Sequence, residues 1–89
     1  MPHYHLNIYN DLDVLDEEGQ ELPDLQAART AACAGAREMI AEHITAGRPI
    51  DVTHRIEITD ARFVVLDTIR FGDLIKLVNA ESRARAGTL

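Results

Sequence analysis

The chain of 89 residues has no tryptophan, one cysteine, one lysine, two phenylalanines and two tyrosines. So few aromatics oblige aliphatic residues and alanine to build the core. A single cysteine excludes an internal disulfide, and Cys33 reads as a small side chain packed within the fold. No apolar run reaches the roughly 20 residues that a membrane helix needs. The N-terminus has no basic region followed by an apolar stretch, so no secretory signal is expected. These absences fit a cytoplasmic protein with no membrane contact. The formal net charge is -6, and the lysine and arginines are scattered. That makes nucleic acid an unexpected partner, since phosphate neutralisation needs clustered cations. The length suits one domain with a modest core.

What is present is organised around residues 16–25 and the helix they launch. Asp24 is the expected N-cap, its carboxylate accepting from a first-turn amide at the positive end of the helix dipole. From Leu25 the chain is rich in alanine, arginine, glutamate and methionine. Gly47 and Pro49 signal the stop. The reading is a helix over 25–46, with Gly35 its weak point. At 100° per residue, Leu25, Ala28, Ala32, Ala36, Met39, Ile40 and His43 share a face. Its first half is small enough to lie close to a sheet, and Met39, Ile40 and Ile44 are expected to fill the wider end. The opposite face, with Ala27, Ala31 and Ala34, reads as solvated.

Residues 3–9 alternate, with Tyr4, Leu6 and Ile8 on one side and His3, His5, Asn7 and Tyr9 on the other. Turn residues follow at 10–13, then a short return strand at Val14–Leu15 that resumes at 20–22. After the helix, residues 50–59 alternate again and place Val52, His54, Ile56 and Ile58 on one face. A turn at 59–62 leads into a strand over 63–69 that is apolar on both faces. That pattern suggests a central position, or a bulge that swaps the phase. Phe71, Leu74, Ile75 and Val78 keep the spacing of a short amphipathic helix. The expected fold is α+β in the order ββαββα. A four-stranded antiparallel sheet packs on one long helix, a short C-terminal helix follows, residues 1–79 form the domain and 80–89 a frayed tail.

The start Met1-Pro2-x-Tyr4, the run from Asp16 through Glu21-Leu22-Pro23-Asp24-Leu25 to Arg29, and then Arg55-Ile56-Glu57-Ile58 and Leu66-x-Thr68-Ile69-x-Phe71 fall in order. Over residues 1–78 the chain resembles an uncharacterised family of short bacterial proteins, a domain of unknown function. The resemblance implies a small α+β protein and no activity. Arg70 stands where that pattern has proline, and Leu12 where it has glycine. A fainter likeness, carried by Pro23-Asp24-Leu25 after a hairpin, is to antitoxins of the HicB type.

Candidate chemistry is sparse. His3 and His5 share a strand face roughly 7 Å apart, which suits two metal ligands, but a site needs a third. Asp11-x-Asp13 begins like a calcium loop, yet Asp16 stands where that loop requires glycine and Leu22 where it requires glutamate. His43 and His54 sit on apolar faces and read as core-edge histidines. No nucleophile and base fall at useful spacing. The reading is therefore a non-catalytic interaction or regulatory module with no cofactor and no metal, acting as a homodimer or on another protein. Its expected surface is His3, His5, Asn7, Tyr9, Val64 and Leu66. The alternatives are a metal- or small-molecule-binding protein using the His3/His5 face, and an antitoxin-like partner of a toxin.

Overall fold

The computed structural model describes residues 1–79, so the expected tail at 80–89 lies outside the described residues. Strands β1 (His3–Tyr9), β2 (Asp13–Val14) and β3 (Gln20–Glu21) precede helix α1 (Leu25–Thr45), and β4 (Arg55–Thr59) and β5 (Val65–Arg70) follow it. The fold is α+β, with one helix on a five-stranded antiparallel sheet. The strand order is β2-β1-β4-β5, and β3 also pairs with β1. Two separate two-residue strands thus share one edge of β1, where the sequence suggested one interrupted return strand.

The helix forms where its signals lie. Asp24 caps it by accepting from the Ala27 amide at 2.9 Å. At the other end Ala46 is the C-cap and Gly47 takes a φ of +70°. The amide of Arg48 then bonds the His43 carbonyl at 2.8 Å, satisfying one of the last-turn acceptors. Ala28, Ala32 and Ala36 are 0%, 1% and 0% exposed and let the helix backbone approach the sheet closely. Ile40 and His43 continue the buried stripe, and Tyr4, Ile56, Ile58, Ile69 and Phe71 meet it from below. Ile44 does not help to fill the wider end: it is exposed, one position off the stripe. Arg29 pairs with Asp67 and ties the helix to β5. The hydrogen bond from Arg29 holds the Asp67 carboxyl below its usual range, and Asp67 raises the guanidinium in turn.

Four expectations are corrected beyond the helix. The strand expected from residue 50 begins only at Arg55. Asp51 accepts from both the amide and the hydroxyl of Thr53, and this local turn competes with pairing and leaves Val52 exposed. The strand expected over 63–69 begins at Val65, because Asp60 accepts from the amides of Arg62 and Val64 and Phe63 adopts a φ of 64°. β5 is an edge strand and not a central one, and its register shifts opposite Ile58/Thr59, which supplies the change of phase. The expected C-terminal helix is one 3₁₀ turn, Phe71–Leu74. The Phe71 and Gly72 amides bond the carbonyls of His54 and Val52, which anchors this segment to the preceding loop. Ile75 is already extended, and Leu77 and Val78 lie in solvent.

Two predictions follow from the helix face. Ala32→Glu forces a charge and added volume into the closest helix–sheet contact and is expected to cost at least about 3 kcal/mol in urea unfolding. Ala34→Glu, on the exposed face, is expected to change stability by less than about 0.5 kcal/mol. Equal losses for the two would misplace the stripe. A Cβ at Gly35 would meet only Ile56 Cδ1, at 4.0 Å. Gly35→Ala is therefore expected to raise stability by about 0.5–1 kcal/mol.

Candidate functional site

β1 carries the functional candidates because its alternation is complete. Tyr4, Leu6 and Ile8 turn to the helix side, and His3, His5, Asn7 and Tyr9 turn away from it. Cross-strand pairing sets Thr59, Glu57 and Arg55 beside His5, Asn7 and Tyr9. At the far end the Arg55 guanidinium lies 4.4 Å from the centroid of the Tyr9 ring and its Nε donates to Glu57 Oε2 at 3.1 Å.

This polar face was expected to be open to a partner, and its upper half is not. His5 and Asn7 are 5% and 7% exposed. The loop between β2 and β3 folds back against them. His3 Nε2 bonds the Glu18 carbonyl at 2.7 Å and His5 Nδ1 the Asp16 carbonyl at 2.5 Å. A carbonyl only accepts, so both ring nitrogens carry the proton in these bonds. Asn7 Oδ1 accepts from the Asp16 amide at 2.9 Å. Phe63 closes the arrangement, its ring centroid 5.0 Å from that of His5.

Asp16 joins these groups. β2 pairs with β1 at Ile8 and Tyr9, and β3 pairs with it at His3 and Tyr4. Between them the edge of β1 has no strand partner. There Asp16 Oδ2 accepts from the Leu6 amide at 3.1 Å, and its Oδ1 accepts from Gly19 at 2.9 Å. A carboxylate thus does for an edge amide what a strand carbonyl would do. Gly19 has a φ of +68°, and a Cβ there would stand 2.6 Å from both His3 Nε2 and the Tyr4 carbonyl. Only glycine closes this loop.

The arrangement uses both histidines as donors that hold the loop. Metal binding through His3 Nε2 or His5 Nδ1 would break those bonds, and the described residues hold no group of three or more His, Cys, Asp or Glu that would hold a metal ion. His54 lies elsewhere, with Nε2 at 3.7 Å from Asp11 and 3.5 Å from Asp51 and its ring edge-on to Phe71. His43 is buried at the end of the helix stripe. Val64 and Leu66 are exposed, as expected, at 53% and 41%. Phe63 and Val65 join them in one exposed apolar run that the sequence reading did not assemble, because the turn at Asp60 carries Phe63 outward.

A family model described as Domain of unknown function (DUF6894) matches residues 3–72, from β1 into the 3₁₀ turn. No curated protein and no solved structure matches the chain. No helix among the described residues is long and apolar enough to cross a membrane.

Asp16→Ala leaves the Leu6 and Gly19 amides without acceptors and is expected to cost about 2–4 kcal/mol. Hydrogen exchange should speed first at Leu6 and Gly19 and leave β4 protected. Uniform loss of protection would show that the loop is not a separate device.

Proposed function

We propose a function for this chain, which belongs to the DUF6894 family, a domain of unknown function: a non-catalytic protein-interaction module that works as a homodimer. The observation that carries this reading is the free edge of β5. Among the described residues, β5 pairs only with β4. An open edge invites pairing with another chain. The exposed side chains Val64, Val65 and Leu66 lie at the start of that strand, and Phe63, 66% exposed, precedes them with its ring against His5. Contiguous apolar groups beside unpaired backbone favour a two-fold contact in which the same patch meets itself. The candidate surface is therefore Val64 and Leu66 with Phe63 and Val65. His5 adjoins it through the Phe63 ring, while His3 and Asn7 hold the loop at residues 16–18 and do not form it. The reading takes the cytoplasm as the working compartment, in keeping with the unpaired Cys33.

Light scattering after size exclusion at micromolar concentration is expected to give twice the 9.9 kDa chain mass. Leu66→Lys is expected to give a folded monomer, with dimer affinity weakened by at least about tenfold. A monomeric wild-type chain would end the proposal. A dimer that survives Leu66→Lys but yields to Ala34→Arg would place the interface on the helix.

A further inference from the structure

A second surface lies at the opposite side of the sheet from β5. Between β1 and the β2 loop runs a groove of about 440 Å³. Its floor is Leu6, Ile8, Val14 and Leu15, and its rim is Asp16, Glu17 and Glu18. The floor is apolar and accessible: Val14 and Leu15 are 52% and 59% exposed, and Leu6 and Ile8 only half-buried. The rim lies in a strongly one-signed region. Residues 1–28 contain seven acidic residues and no lysine or arginine. Glu17 and Glu18 are exposed.

We infer that this groove docks a basic amphipathic helix from another protein, with apolar side chains on Leu6, Ile8, Val14 and Leu15 and lysine or arginine against Glu17 and Glu18. The floor and the rim select that occupant. An apolar floor takes the apolar face of an amphipathic helix, and the exposed carboxylates of Glu17 and Glu18 complement lysine or arginine on its flank. Strand addition is blocked at this part of β1, because the Leu6 amide is already bonded to Asp16 Oδ2. An occupant seated over Leu6 therefore engages it through side chains. A second copy would bring the same acidic rim to the groove and be repelled. Nucleic acid and anionic lipid headgroups are repelled for the same reason. The groove and the free edge of β5 lie on opposite margins of the sheet.

The test uses the full chain and a fluorescent helical peptide with leucine on one face and lysine on the other. Anisotropy should show saturable binding that weakens with salt, and the same peptide with glutamate for lysine should not bind. Glu17→Lys with Glu18→Lys is expected to weaken binding by at least about tenfold. Val14→Ser should weaken it as well, which loss of charge alone does not explain. Glu38→Lys with Glu42→Lys reverses two exposed helix acids outside the groove and should leave affinity within about twofold. All of these positions are exposed, so the variants should melt like the wild type. In amide spectra the peptide should move Leu6, Ile8, Val14 and Leu15. Absence of binding, equal loss from both charge reversals, or shifts centred on residues 63–66 would each overturn the inference. The last outcome would leave the β5 reading intact, and a monomeric chain that still binds the peptide would separate the two in the other direction.

Discussion

Ala28, Ala32 and Ala36 let the helix backbone settle onto the sheet with almost no exposed surface between them, and the other elements arrange themselves around that contact. Larger residues at these positions would lift the helix and open a gap over Ile56, Ile58 and Ile69. The contact lies mainly over β4 and β5. Phe71, fully buried, closes one end of it, which is why the chain after β5 is held down for a single turn and then released. The Arg29–Asp67 pair fixes the helix to the outermost strand from above. Because the helix is committed to that side of the sheet, Leu6 and Ile8 at the other side are only partly covered, and the acidic groove is the space that remains.

The edge of β1 is managed by different means. Two strands of two residues each do not cover a seven-residue strand. The interval between them is filled by one aspartate, which uses its carboxylate, carbonyl and amide together. His3, His5 and Asn7 are the other half of that device, so their polarity serves the fold. The acidic loop is thereby held in place, and its free carboxylates Glu17 and Glu18 are presented beside an apolar floor. The fold and the proposed contact depend on the same few bonds.

The two margins of the sheet thus differ in character. One is a strand edge with no partner strand among the described residues and with apolar side chains, which the proposal gives to a like partner. The other is plugged, acidic and grooved, suited to an unlike one. On the proposed reading the two contacts use different margins of the sheet.

By itself the sequence determined the helix, its Asp24 cap and its Gly47 stop, its buried stripe from Ala28 to Ile40, and the alternation of β1. These are local properties: capping needs a carboxylate three residues from an amide, and burial of a helix face needs only a period of 3.6 residues. Val64 and Leu66 are exposed as read, but so are Phe63 and Val65 on the other face, which alternation does not give. The tertiary structure alone decided that His5 and Asn7 are buried, since a face that alternates as polar looks the same whether water or a loop covers it. The sequence carried a trace of the loop in Asp16-x-x-Gly19, but not the fact that its carboxylate reaches back to Leu6. It left β5 between a central place and a bulged one, because an apolar strand reads alike in both, and the register shift opposite Ile58/Thr59 decides for the bulge. Strand order, the plug at β1 and the groove beside it depend on which distant segments meet, and that is settled by how a helix of fixed width shares the faces of a narrow sheet.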